Sequence, residues 1–294
     1  MDRRSFTKLL GSVAIAYNPG LKALVSGDRV VVVGAGIVGS SIAYHLTKMG
    51  AAVTVIERDR PAAHASGRSF AWINASYPKK PYSYHHLSQL SLLAYHKLET
   101  EIDIDIHWGG SLEWFASKEN QKMLAQEIEI QQGYGVPIQM ISGEQARELE
   151  PNVEFDKNAS IAFSKLDGAV DAVGVVDKFL RKTINLGGQV LYPVTYENVK
   201  VKNRKIVAVR TSIGEIEADR VVFACGVDTD ELLSIDVLKT SRPGIILRTQ
   251  PMKKVIDRVI VAPGVHIHQQ HDGTVIIGEQ AGAPISHLNR LALK

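Results

Sequence analysis

The chain has 294 residues, 45% of them hydrophobic, 22% charged and 6% aromatic, an ordinary globular mix that excludes bulk disorder and, at about 150 residues per domain, predicts two domains or one large α/β unit with an insertion. The formal charge of +3 resides in residues 1–27, where Arg3, Arg4, Lys8 and Lys22 face only Asp2, so the neutral remainder offers no broad basic face for nucleic acid. The single cysteine, Cys225, can form neither an intramolecular disulfide nor a thiolate metal cluster.

Residues 1–27 read as an address. Asp2 to Lys8 is charged, Leu9 to Tyr17 is apolar, and Ala14-Ile15-Ala16 has the small-x-small form of a processing site. The apolar run is short of the about 20 residues that span a bilayer, so no stable membrane span is expected. Arg3-Arg4 resembles a twin-arginine export signal, which implies a periplasmic protein folded around its cofactor before export. Asp2 stands where Ser or Thr is usual, and Thr7 where Leu is common. The alternative is a frayed basic terminus or short helix on a cytoplasmic protein.

Arg29 to Val33 is a β-branched run, apolar on both faces, as in a buried parallel strand. Gly34-Ala35-Gly36-Ile37-Val38-Gly39 follows at once, then Ile42, Leu46 and Met49 recur at helical spacing until Gly50. In this GxGxxG pattern Gly34 permits a tight turn, Gly36 lets backbone N–H groups approach a pyrophosphate, and Gly39 lets the helix lie close to the strand. Ile37 and Val38 open the helix whose positive dipole end faces the phosphates. Ala51 to Glu57 reads as the second strand and ends in a carboxylate about 20 residues past Gly36, the spacing of a ribose-hydroxyl acceptor. Glu57 disfavours NADP by repelling its extra phosphate. The fingerprint alone leaves NAD and FAD open.

The stretch after Glu57 separates them. Arg58-Asp59-Arg60-Pro61 leads to His64-Ala65-Ser66-Gly67-Arg68-Ser69-Phe70-Ala71-Trp72-Ile73-Asn74, and here the chain resembles the D-amino-acid oxidase-like family of FAD-dependent oxidoreductases, which includes glycine oxidase and sarcosine oxidase. The resemblance implies FAD as cofactor, with Ser66, Ser69 and Ala71 at small positions of a loop under pyrophosphate and flavin. Arg58, Gly67, Arg68 and Trp72 join the implied cofactor contacts. A second block, Asp167-Gly168-Ala169-Val170-Asp171 with the helix-like stretch Val175 to Leu186, resembles the segment where a helix re-enters the nucleotide domain. Val199–Val201, Ile206–Thr211 and Glu215–Ala218, with turns at Asn203-Arg204 and Ile213-Gly214, read as a β-meander. Val221 to Gly226 closes it as a buried strand. By resemblance that strand returns beside the first, Gly226 nears the cofactor, and backbone groups near Tyr196 meet the adenine.

Helices are expected from Tyr84 to Ile102 and from Glu119 to Gly133, and strands at Gly244–Gln250, Val259–Ala262, Val265–Gln269 and Val275–Gly278. The fold class that follows is α/β: a Rossmann-type FAD-binding domain with a β-meander (28–75 and 151–230) and a discontinuous α+β substrate domain (76–150 and 231–294). His266 and His268 share a strand face, while His85 and His86 point differently on a helix. With no carboxylate or cysteine at ligand spacing, these read as solvated or core histidines, and no metal site is expected. Trp72, Trp108 and Trp114 are either cavity walls or core, and Arg68 either counters a carboxylate or makes a surface ion pair. Cys225 reads as a buried, inert thiol.

The resemblance implies oxidation of the C–N bond of a D-amino acid, glycine or N-methyl amino acid by hydride transfer to flavin, with oxygen or a redox carrier as acceptor. That chemistry needs orientation more than acid–base groups, so no catalytic residue is named. Family members continue past a strand like Val275–Gly278 into another glycine-rich turn and a helix. The chain stops at Lys294, and the alternative expectation is a truncated, catalytically silent nucleotide-binding fragment.

Overall fold

The computed structural model describes residues 27–74, 76, 79–156, 158–235 and 244–279. The twin-arginine-like stretch lies outside them, as does everything past 279. In chain order the elements are β1 (Arg29–Val33), α1 (Ile37–Lys48), β2 (Ala52–Ile56), β3 (Trp72–Ile73), α2 (Tyr82–Glu101), β4 (Ile106–His107), β5 (Ser111–Glu113), α3 (Lys118–Gly133) and β6 (Ile138–Ser142). There follow α4 (Gly143–Leu149), β7 (Ser160–Ser164), β8 (Gly168–Val170), α5 (Ala172–Asn185), β9 (Gln189–Leu191), β10 (Tyr196–Lys202), β11 (Lys205–Thr211), β12 (Gly214–Glu217) and β13 (Arg220–Phe223). The last are α6 (Thr229–Leu233), β14 (Ile246–Arg248), β15 (Val259–Ala262), β16 (Val265–Gln269) and β17 (Val275–Glu279).

Two compact units result, Met1–Arg68 with Ala172–Thr240, and Ser69–Asp171 with Ser241–Lys294. The first holds a four-stranded sheet in the order β13-β1-β2-β9 with every pairing parallel. A strand in the middle of such a sheet needs apolar residues on both faces, and β1 supplies them alternately. Val30 and Val32 pack with Ala43, Val176 and Leu180 of α1 and α5, while Val31 and Val33 pack with Val209 and Ala218 of the β10-β11-β12 meander. The meander turns at Asn203 (φ 51°) and Arg204 (φ 60°), paired left-handed residues that match the twist of a two-residue hairpin. The expected return of the last strand beside the first is observed, with Val30–Val33 in parallel register with Arg220–Phe223.

The second unit is built on a seven-stranded sheet, β14-β17-β16-β15-β5-β7-β6, and a three-stranded one, β3-β8-β4. The larger sheet is antiparallel except where β15 joins β5 in parallel. Leu112, Ile161, Ile260 and Ile267 form its core. Chain boundaries between units fall elsewhere than the sequence suggests. Residues 151–171 carry β7 and β8, whose ladder partners are β5, β6, β3 and β4, so the second unit runs on to Asp171 and the return occurs at α5. The segment Ile138–Leu149 forms a strand and a short helix that opens on a Ser142–Gln145 capping box, an N-terminal signal rather than a periodic one.

Glu113 ends β5 between Val261 and Ala162 and is only 8% exposed. Burial, helped by the negative charges of Glu127 and Asp167, pushes its carboxyl up to about 7. The folded protein therefore binds a proton at Glu113 that the unfolded chain releases near 4.5, and stability is expected to fall as pH rises from 4.5 to 7. The loss is about 3 kcal/mol across that window. Urea melts of Glu113→Gln should lack this slope and exceed the parent in stability at pH 8; a parent slope retained in the variant would contradict the assignment.

Candidate cofactor site

The first unit contains a cavity of about 650 Å³, within the roughly 300–1,000 Å³ span of small-molecule and cofactor sites. It lies where β1, β2 and β13 end, at the carboxyl edge of the parallel sheet, the place at which open α/β sheets bind ligands. Gly34, Gly36, Ile37, Val38, Glu57, Arg58, Ser66, Tyr196 and Gly226, all read from the sequence as cofactor contacts, line it together.

The glycine turn is shaped by close approach. Gly34 has φ +105°, and its N–H donates to Ile56 O at 2.8 Å. A Cβ on Gly39 would stand 1.9 Å from Gly34 O, so Gly39 does not line the cavity but lets α1 lie against the turn. Gly36 caps α1 without a side chain and no acidic residue occupies the first helical turn, so the helix's own sequence places no carboxylate at its positive end. Ser66 Oγ accepts the Ile37 N–H at 2.9 Å, bringing the turn Ser66–Arg68 to the helix entry.

Glu57 is 8% exposed, and its carboxylate is aimed by two backbone donors: Ala35 N–H to Oε2 at 2.9 Å and Asp59 N–H to Oε1 at 3.0 Å. It thus ties the end of β2 to the glycine turn and keeps acceptor capacity toward the cavity it lines. Arg58 bridges Asp228 at 2.9 Å and Asp59 at 3.4 Å. Tyr196 packs edge-on to Phe223 with centroids 5.1 Å apart. The backbone beside it is already committed, with Val194 N–H donating to Glu57 O and Thr195 exchanging hydrogen bonds with Ser212. Cys225 also lines the cavity; its Sγ–H donates to Val33 O, and burial pushes the thiol up to about 11, so it stays protonated at neutral pH.

The remaining candidates are elsewhere. Gly67 and Arg68 belong to the first unit, where a Gly67 Cβ would clash with Ala62 O at 2.2 Å, and Arg68 is exposed. Ser69, Ala71 and Trp72 belong to the second unit, where Ala71 has φ +58° and Trp72 Nε1 donates to Asp167 Oδ2 at 3.1 Å. His266 and His268 do share a face, both rings resting on Phe70. His268 Nε2 donates to Phe70 O at 2.7 Å and burial holds the ring down at about 4, hence neutral. His85 is buried and His86 exposed. Trp108 stacks on His96 and Trp114 packs against Phe155, so both serve packing. Ala62–Ala65 and Asp228, Thr229, Glu231 and Leu232 were not foreseen as cavity walls; they are loop and short-helix residues without a periodic signal.

The residues present fit a dinucleotide: a glycine turn that a Cβ would block, a helix N-terminus with no side-chain cap from Gly36 and no acidic residue in its first turn, and a buried acceptor beside it. Comparison with known proteins agrees. The family model described as FAD dependent oxidoreductase matches residues 29–290. Glycine oxidase of Bacillus licheniformis is 26% identical over 266 residues, covering 84% of this chain and 68% of the relative. The 4-methylaminobutanoate oxidase (formaldehyde-forming) of Paenarthrobacter nicotinovorans is 27% identical over 211 residues, 69% of this chain, and this chain spans only 25% of its length. Among solved structures, L-proline dehydrogenase from P. horikoshii superposes with a TM-score of 0.75 at 25% identity, over 88% of this chain and 72% of that one. No helix among the described residues is long and apolar enough to cross a membrane. The chain belongs to the family of FAD-dependent oxidoreductases to which D-amino-acid oxidase gives its name.

Proposed function

We propose that the protein oxidises the C–N bond of a small amino acid or secondary amine, glycine, a D-amino acid or an N-methyl amino acid being the substrate class. The observation that carries this reading is the cavity at the glycine turn, in which the buried Glu57 carboxylate stands beside the open N-terminus of α1. Glycine oxidase and 4-methylaminobutanoate oxidase among its relatives support the choice of substrate. Bound FAD supplies the two-electron acceptor. The chain's own part is to bind and orient. Glu57 would accept from ribose hydroxyls, and backbone N–H groups at the start of α1 would meet the pyrophosphate where the helix dipole favours negative charge. Val33, Ile37 and Val38 present apolar surface that keeps water from the ligand.

The test is the visible spectrum of the purified protein after excess FAD and desalting. Flavin bands should remain and bleach anaerobically with at least one of glycine, D-amino acids or N-methyl amino acids. Glu57→Ala removes a charged acceptor worth about 1.5–3 kcal/mol and should weaken FAD by roughly 10- to 150-fold. Retained flavin that none of these substrates bleaches would sink the substrate class, and absent flavin would sink the cofactor role of this cavity. Arg3-Arg4 ahead of the apolar run Leu9 to Tyr17 supports twin-arginine export to the periplasm, which fractionation of cells making the full chain decides.

A further inference from the structure

In the second unit β4 ends in His107, whose ring meets His271 in the turn joining β16 to β17. His107 Nδ1 and His271 Nε2 are 3.2 Å apart, with the ring planes at 82°. Each far nitrogen faces an oxygen that can only accept. His271 Nδ1 is 2.5 Å from Asp105 Oδ2, and His107 Nε2 meets the main-chain carbonyl of Asp257. Both far nitrogens therefore carry the N–H, and in neutral imidazoles the two near nitrogens then turn lone pairs toward each other. Lone pairs at that distance repel, so the pair requires a positive centre between them, either a proton or a metal ion.

Three features favour a metal ion. A tetrahedral cation with metal–nitrogen distances of about 2.0 Å has ligand–ligand edges of about 3.3 Å, close to the separation found. A carboxylate and a backbone carbonyl on the far nitrogens are the outer partners that fix tautomer and ring orientation in histidine–metal sites. His107 is also built into place: a Cβ on Gly109 would stand 2.1 Å from Asp257 O and 2.9 Å from His107 Nε2, so only glycine admits the contact. The side chain of His271 is 50% exposed, which leaves room for water to complete the coordination.

We propose that His107 and His271 form a two-histidine site for a divalent transition cation of the zinc, copper or nickel class, oriented by Asp105 and the Asp257 carbonyl. The ion would staple β4 to the β16–β17 turn of the second unit, and the proposal does not rest on any reading of the first unit's cofactor. Tag-free full-length protein is titrated calorimetrically with zinc alone and with copper alone. One equivalent should bind, copper more tightly than zinc. His107→Gln and His271→Gln should each weaken binding at least about tenfold, and Asp105→Asn about 10- to 100-fold, with unchanged far-UV circular dichroism. His64→Gln is the control, since Glu57, Asp59 and His64 also bring ligand atoms within 4.8 Å of one another, and it should leave the equivalent intact. No saturable uptake of either ion would mean that the pair holds a proton only. Uptake that survives the double variant, or that disappears in His64→Gln, would equally overturn the proposal.

Discussion

Gly34→Ala is expected to cost about 2–6 kcal/mol and to abolish flavin retention. Two independent penalties add. The backbone at Gly34 has φ +105°, where an L side chain is strained by about 1–3 kcal/mol. The new Cβ would also stand 2.4 Å from Ala224 O and 2.9 Å from Ala224 C, both main-chain atoms. Neither can step aside cheaply, because Ala224 N–H donates to Val33 O and Gly34 N–H to Ile56 O, so movement would unpair the ends of β13, β1 and β2. Forcing atoms into such a packed place costs about 1–3 kcal/mol more. Against a stability of about 5–15 kcal/mol for a typical domain, the sum is large. Gly36→Ala separates fold from cofactor. Its backbone φ of −78° suits alanine, and its Cβ would meet only Ser66 Oγ at 3.1 Å, the end of a side chain that can rotate. Its urea midpoint should stay within about 1 kcal/mol of the parent while FAD no longer raises the melting temperature. Equal losses in both variants would contradict the division of labour within the glycine turn.

That turn was legible because its sequence signature is contiguous. Strand, glycine turn, helix and second strand occupy residues 29–56 without a break, and Gly39 answers a constraint set at Gly34, although the nearest atoms that a Cβ would meet at Gly34 and Gly36 belong to the distant Ala224 and Ser66. The meander was readable for the same reason, its Asn203-Arg204 turn being a short-range signal. What stayed hidden depends on residues far apart in the chain. β15 joins β5 through Val259–Val261 against Ser111–Glu113, and no pattern in either strand names the other. β8 read as the start of the return to the nucleotide domain because Asp167 and Gly168 precede a helix, yet its ladder partners are Trp72–Ile73 and Ile106–His107. The commitment of Asp167 to Ser76 and Ser111, 91 and 56 residues away, likewise leaves no mark on the local sequence. The order of strand, glycine turn, helix and strand follows from short-range rules, whereas the contacts that close on the turn from Ser66 and Ala224, and the strand pairing of the second unit, are long-range.

Asp167→Ala should destabilise the second unit by about 4–5 kcal/mol, the upper end of what one substitution does. The side chain is fully buried and is the meeting point of four donors. Trp72 Nε1 at 3.1 Å, Ser76 Oγ at 2.5 Å and Ser111 Oγ at 2.7 Å converge on Oδ2, and Ser164 Oγ reaches Oδ1 at 3.3 Å. These donors come from β3, the segment after it, β5 and β7, so one carboxylate fastens both sheets of the unit. Alanine would strand several buried donors at about 1–3 kcal/mol each, partly recovered where serine hydroxyls rotate to other acceptors. Lys79 would suffer as well. Burial already lowers its ammonium pKa and the charge of Asp167 opposes that fall, so removing the carboxylate leaves a half-buried cation less compensated. Asp167→Asn keeps an oxygen for the donors at Oδ2 and turns an amide N–H toward Ser164 Oγ, which can accept it. Its cost should be about 1–2 kcal/mol. Urea melts of the two variants, read by tryptophan emission because Trp72 loses its partner only in the alanine form, distinguish a hub from an incidental buried acid. Equal and small losses in both would show that the serines satisfy one another without it.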